Sequence, residues 1–330
     1  MQAILAVTFP FFALVLLGYL AVQRRFLPES AIPGLNGFVL FFALPCMLFR
    51  FGSSMPLAQL FDPVLLAIYL TSALLMVALT IGLTLRRTRD GPGVNMKDAA
   101  FGALVAAFPN SGFMGFPLLI GLLGEGVAGP LIGCIVVDLV VTSSLCLALA
   151  QLRPATETAT RHNLLGSFGR ALRGAFSNPL PWAIALGALV AAIGVPLPGP
   201  LKEMIRMLGD AATPVALFTI GAVLWRAQQH AIAPTPLSAY LPVALIKLLL
   251  HPLLMFGGGL IANAAGANLS QFALLVLVLN AALPSASNVA ILAERYGADN
   301  GRVTRIIMVS TVLAFATFSL IAWAFGVRRA

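Results

Sequence analysis

FPNSGFMGFP, residues Phe108 to Pro117, sits inside an apolar stretch yet contains two prolines, two glycines, Asn110 and Ser111. A continuous lipid-facing helix is not written this way. Pro109 has no backbone N–H and its ring collides with the preceding turn, while Gly112 and Gly115 loosen the next turn, so a helix entering this stretch is interrupted there. The carbonyls and amides released by the interruption need partners. At membrane depth such backbone is tolerated only where it is buried in protein or lines a polar cavity, which makes Pro109, Asn110, Ser111 and Gly112 candidate substrate-binding residues. A second interruption is written far downstream at LPSASN, Leu283 to Asn288, where Pro284, Ser285, Ser287 and Asn288 are the counterparts.

The surrounding composition sets the class. The chain has 330 residues, 60% hydrophobic and 9% charged, with a mean hydropathy of +0.98. A soluble domain carries about a quarter charged residues, so an all-α polytopic membrane protein is indicated. The net charge of +9 follows from positive residues kept in cytoplasmic loops and calls for no nucleic-acid partner. Cys46, Cys134 and Cys146 all lie in apolar runs and read as packing residues, not a disulfide framework. The first apolar run, Ala3 to Val22, lacks a preceding basic region and is long enough to span, so it is expected to be a retained helix.

Counting about 20 apolar residues per crossing gives ten segments, near 3–23, 33–51, 62–85, 98–123, 127–151, 178–195, 204–226, 237–263, 270–295 and 303–326. The polar stretch at 153–175 divides them, so residues 1–152 form a first five-helix repeat, 153–175 a cytoplasmic linker and 176–330 a second repeat. With both termini on the outer side, fourteen of the twenty Lys and Arg residues fall in inner loops and five on the outer side, as the positive-inside rule requires. The halves echo each other. Pro45 and Pro214 lie in the second segment of each half; 64 residues separate Pro45 from Pro109 and 70 separate Pro214 from Pro284. Because five is odd, the second copy enters from the opposite side, which is the inverted-repeat plan of secondary transporters with broken, crossing helices 4 and 9.

Two broken helices that cross at their breaks bring two positive half-helix ends near one point, where an anionic group such as a carboxylate is favoured. Asn110, Ser111, Ser285, Ser287 and Asn288 add neutral donors and acceptors there; the same side chains also serve to satisfy loosened backbone. Few charges lie deep in spans. Asp138, midway along segment five, reads as a proton carrier, a cation ligand or one half of a structural ion pair with Lys247 of segment eight. Lys247 is either a coupling residue or a fixed counter-charge. His251, four residues later on the same face, is a proton acceptor or a partner for backbone freed by Pro252. Arg50 is expected to snorkel to headgroups, Glu294 and Arg295 to pair with each other, and Asp210 to lie at a solvated end. No GxxxxGK loop or metal-ligand cluster is written, and His162, His230 and His251 are scattered, which disfavours an ATP-driven pump or a metalloenzyme. No serine and histidine or paired aspartates sit at matching depth, which disfavours an intramembrane enzyme, and no cofactor beyond a coupling ion, H+ or Na+, is expected.

At FPNSGFMGFPLL the sequence resembles the auxin efflux carrier family, which includes plant auxin carriers and bacterial relatives described as malonate or malate permeases. LNAALPSASNVAILAERYG and IKLLLHPLL resemble that family's second broken helix and the helix before it, and the similarity runs over nearly the whole chain. The resemblance implies a scaffold of segments one, two, six and seven and a transport core of the others, with a substrate site at the crossover of segments four and nine. It also implies a homodimer through the scaffold. Pro109 and Asn110 take the place of the first crossover proline and its substrate-binding asparagine, and Pro284 that of the second. The short central loop departs from the plant carriers, so auxin itself and kinase control are not implied. The related bile-acid sodium symporters share the crossover plan. The expectation is a secondary carrier of small carboxylates in the cell inner membrane, in contact with lipid, with the core moving as an elevator against the scaffold. The alternatives are a sodium symporter, a channel and a non-transporting receptor.

Overall fold

Among the described residues five helices start where a short polar side chain takes over an orphan backbone N–H: Asp62 accepts from Val64, Asn95 from Asp98, Asn178 from Leu180, Ser270 from Ala273 and Asp299 from Arg302, at 2.8 to 3.0 Å. Glycines of positive φ close several helix ends, among them Gly194 (φ 69°) and Gly297 (φ 63°). The structure is a computed structural model that describes residues 2–54, 62–87, 94–151, 178–194, 196–229 and 235–327. The linker expected at 153–175 and the terminal Arg328 and Arg329 lie outside the described residues.

In chain order the helices are α1 (Gln2–Gln23), α2 (Glu29–Ser54), α3 (Pro63–Arg87), α4 (Met96–Ala107), α5 (Ser111–Leu123), α6 (Glu125–Ala150), α7 (Pro179–Ile193), α8 (Gly199–Gln229), α9 (Leu237–Ala264), α10 (Gln271–Ala281), α11 (Asn288–Tyr296) and α12 (Asn300–Ala324). Regular structure among the described residues is helical throughout, apart from one isolated bridge between residues 109 and 285. Seven helices are long and apolar enough to cross a membrane: α1, α2, α3, α6, α8, α9 and α12; α5, α7 and α10 are shorter apolar helices. The chain is a polytopic membrane protein. Segments four and nine are each interrupted as the prolines require, the first between α4 and α5 and the second between α10 and α11.

The helices pack in two groups. α1 lies along α8, and α2 lies along both α7 and α8. Two of these contacts are backbone on backbone. A Cβ on Gly18 would overlap the carbonyl of Phe218 and one on Gly221 the carbonyl of Val15; Gly52 meets Ile184, and Gly187 meets Phe49, in the same way. Such contacts are how small residues bring membrane helices together. In the second group α3 packs on α4 and α9, α4 on the end of α6, and α9 on α10 and α12. One large apolar cluster joins the groups, with Leu48, Phe116, Leu217, Leu283 and Phe318 all buried in it.

The polar residues at the ends of the helices correct several expectations. Arg302, which the sequence places among the inner-loop charges, is 4% exposed. It donates to the carbonyls of Ala239 and Asp98, both at 2.9 Å, and to Thr84 Oγ1 at 3.4 Å, tying α12 to α9, α4 and α3. A planar guanidinium presents five donors in a fixed fork, which lets it serve acceptors on three separate helices at once. Arg50 does not merely snorkel: its Nη1 pairs with Asp210 Oδ1 at 2.7 Å across α2 and α8, and Asp210 also binds Arg206. Glu294 and Arg295 form no ion pair among the described residues; both are exposed where α11 ends.

Candidate functional site

The two breaks meet. Pro109 and Ser285 form an antiparallel bridge, in which the backbone N–H of Asn110 donates to the carbonyl of Pro284 and that of Ala286 to the carbonyl of Phe108, each at 2.9 Å. Interruption leaves backbone groups without helical partners, and here part of that need is met by pairing one break with the other. Two helices therefore begin on either side of one short bridge: α5 at Ser111 and α11 at Asn288. Each turns its positive dipole end toward the breaks.

Pro109, Asn110, Ser111, Pro284, Ser285 and Ser287 are buried, whereas Gly112 and Asn288 are half-buried. A Cβ on Gly112 would meet nothing within 4 Å, so open space adjoins the start of α5. The side chains of Asn110, Ser287 and Asn288 make no hydrogen bond among the described residues, and Ser285 Oγ is fully buried without a partner. An unpaired hydroxyl in such a place costs about 1–3 kcal/mol, which marks it as a group awaiting a partner. The Ser285 backbone N–H, in contrast, donates to Ser310 Oγ of α12 at 3.2 Å.

Ser111 leads away from the bridge into a second polar cluster. Its Oγ donates to Asn280 Oδ1 of α10 at 2.7 Å. Asn280 lies against Tyr69 of α3 and Cys134 of α6, and its own Nδ2 is buried without a hydrogen-bond partner. Tyr69 Oη donates to Asp138 Oδ2 at 2.6 Å, and Thr142 Oγ1 to Asp138 Oδ1 at 3.3 Å. Asp138, Lys247 and His251 are all 0% exposed. Lys247 Nζ donates to the carbonyl of Ala281 at 2.7 Å and stands 3.0 Å from His251 Nδ1. A protonated amine has no acceptor lone pair, so toward an ammonium Nδ1 is the acceptor; His251 Nε2 is buried without a partner.

The direct ion pair between Asp138 and Lys247, one of the readings the sequence left open, is not formed. Their charges interact, but tyrosine and threonine hydroxyls hold the carboxylate, and the ammonium caps the negative end of α10 where the second break begins. Ser111, Asp138 and Lys247 share a local feature: each lies in a widened π turn, at Ser111–Gly115, Asp138–Thr142 and Ile246–Leu250. Such turns break helical regularity and recur at functional positions. Residue types and spacing did not pick out Tyr69 or Asn280. Asn280 had a signal, an amide four residues before Pro284 in an otherwise apolar run; Tyr69 had none beyond its hydroxyl.

No group of three or more metal-ligating side chains occurs among the described residues. A surface groove of about 490 Å3 lies between the end of α1, the residues that follow it and α8, lined by Leu17, Leu20, Arg24, Phe26 and Phe218; it shares no residue with the bridge, and its largely apolar lining with one basic side chain suits lipid.

Comparison with known proteins gives the chain's relatives. The family model described as membrane transport protein matches residues 3–323. A putative malonate transporter of Rhizobium meliloti is 30% identical over 319 residues, covering 96% of this chain and 94% of the relative. An uncharacterized transporter of Escherichia coli is 26% identical, with 93% and 92% covered. Auxin efflux carrier component 8 of Arabidopsis thaliana is 22% identical, with 95% of both chains covered.

Proposed function

Because this chain belongs to the membrane transport protein family, and is thus a transporter and not an enzyme, we propose that it is a secondary carrier of small carboxylates working by alternating access. The observation that carries the proposal is the bridge between Pro109 and Ser285. Two helix N-termini flank it, an unpaired buried hydroxyl stands in it, and open space adjoins Gly112. Such a place favours a carboxylate, with dipole ends supplying positive potential and Asn110, Ser111, Ser285, Ser287 and Asn288 supplying directional contacts. Malonate, named in the description of the Rhizobium relative, is the first substrate to test.

In this reading ten spans form two inverted repeats, with α4 and α5 as one broken span and α10 and α11 as the other. The glycine crossings support it. An inverted repeat exchanges the first span with the sixth and the second with the seventh, and the crossing of α1 with α8 has its counterpart in that of α7 with α2. These four helices are the scaffold, and the remainder is the core that moves against it as an elevator. The carrier is a homodimer through the scaffold and lies in the cell inner membrane with both termini outside. Proton coupling runs through Asp138, with Lys247 and His251 as its charged and polar neighbours.

The test is counterflow in proteoliposomes. Labelled malonate should accumulate against unlabelled malonate in a saturable way, and Asn110→Ala should abolish the accumulation. Flux that does not saturate indicates a pore, and binding without exchange a receptor; either overturns the carrier reading. Replacing a proton gradient with a sodium gradient distinguishes the coupling ion.

A further inference from the structure

The bridge and the Asp138 carboxylate are separate places, yet one line of side chains joins them: Ser111, Asn280, Tyr69 and Asp138. Ser111 Oγ donates to Asn280 Oδ1, Asn280 lies against Tyr69 with its Nδ2 unpaired, and Tyr69 Oη donates to Asp138 Oδ2. Four helical elements contribute one residue each, α5, α10, α3 and α6. We propose that Asn280 is the positioning residue that couples the protonation of Asp138 to anion binding at the crossover, by passing the direction of a hydrogen-bond chain from one to the other. The inference rests on the carrier reading and adds to it a residue and a mechanism of coupling.

Donor and acceptor capacity fixes how the chain works. An ionised carboxylate only accepts, so Tyr69 must give its proton to Asp138. The Tyr69 oxygen then has only lone pairs to offer Asn280 beside it, whose Nδ2 is the end still without a partner; Asn280 Oδ1 takes the Ser111 proton, and Ser111 presents only lone pairs to the crossover. That arrangement repels a carboxylate. When Asp138 takes up a proton it becomes a donor, and Tyr69 is free to donate to Asn280. Turning the Asn280 amide by half a revolution then places Nδ2 toward Ser111, whose hydroxyl hydrogen is released into the crossover as a donor to the arriving anion. Proton and anion therefore favour each other. A side chain with both a donor and an acceptor end transmits this reversal, and the Asn280 amide does so without carrying charge.

Of the other groups that face Asp138, Cys134 and Cys146 lie on its own helix and Thr142 one turn along it; Cys134 also lies against Asn280 but makes no hydrogen bond to the Asp138 carboxyl, which Tyr69 does; Lys247 acts on it through space from α9, with His251 behind Lys247. Lys247 is engaged by Ala281 and His251 and makes no hydrogen bond to Ser111.

The experiment measures the KM for malonate in proteoliposomes in mildly acidic and mildly alkaline buffer, for the unmodified protein and for Asp138→Asn, Asn280→Leu and Tyr69→Phe. The unmodified KM should rise by roughly tenfold on going alkaline, the usual size of a coupling between two sites. Asn280→Leu and Tyr69→Phe should each reduce that rise to less than about twofold. Tyr69→Phe keeps the ring and its packing, so it serves where Asn280→Leu fails to fold. If Asp138→Asn flattens the pH response while both relay variants keep it, the role of Asn280 is overturned and the carrier reading stands. If malonate and related acids show no saturable exchange at any pH, the carrier reading falls and the relay with it.

Discussion

Lys247 donates from Nζ to the carbonyl of Ala281 at 2.7 Å, so an ammonium ion on α9 caps the last turn of α10 at the point where the second break begins. The negative end of a half-helix and an unshared carbonyl are met by one group. Lys247→Met leaves that carbonyl without its charged partner and Asp138 without a nearby cation. Such a loss costs roughly 2–4 kcal/mol. Thermal unfolding in detergent should show a lower midpoint for Lys247→Met, while Lys202→Met, an exposed residue of α8, should leave the midpoint unchanged.

Arg302 holds three neighbouring helices through two carbonyls and a hydroxyl while almost entirely buried. Arg302→Lys keeps the charge but loses the fork, so it should behave nearly as badly as Arg302→Met, each costing about 2–4 kcal/mol. Arg295→Met, on the exposed end of α11, is the comparison. Equal stability of Arg302→Lys and the unmodified protein would refute the clamp.

The glycine crossings predict a steep contrast within one residue type. Gly18→Ala and Gly221→Ala insert a methyl into a facing carbonyl and should lower stability by about 1–3 kcal/mol or more. Gly82→Ala has nothing within 4 Å of the new methyl and should be neutral or slightly stabilising, since alanine is the better helix former. Melting curves of the three variants side by side decide this.

Ser285 Oγ offers a separation of binding from stability. The hydroxyl has no partner in the buried bridge, so Ser285→Ala removes an unsatisfied group and should leave the unliganded melting point the same or higher. The same change should reduce malonate-induced stabilisation, with apparent affinity weaker by roughly tenfold, about 1.4 kcal/mol. A variant that binds as tightly as the unmodified protein would remove Ser285 from the site.

Arg50 and Asp210 are 38% and 46% exposed at their side chains. Asp210→Asn should therefore change stability by less than about 1 kcal/mol, and the effect should shrink further in high salt. A large loss would show that α2 and α8 depend on this pair and not on their apolar contact.

The breaks at Pro109 and Pro284 were readable from the chain because proline and glycine act on backbone within a turn of where they stand. The apolar lengths were readable for a similar reason, since a span is a property of consecutive residues. That Asp138 and Lys247 are buried charges was equally plain, but not that Tyr69 and Thr142 hold the carboxylate while Ala281 receives the ammonium. Arg302 shows the same limit: close to Asp299 at a helix start it reads as an interfacial charge, and only the convergence of α3, α4 and α9 around it makes it a buried clamp. Which hydroxyl, amide or carbonyl lies nearest is set by how separate helices pack, over separations of tens to hundreds of residues, and packing depends on the summed fit of many side chains. Local backbone chemistry thus announces where the helices must break; the meeting of the two breaks, and the line of side chains leading from them to Asp138, exist only once those helices have come together.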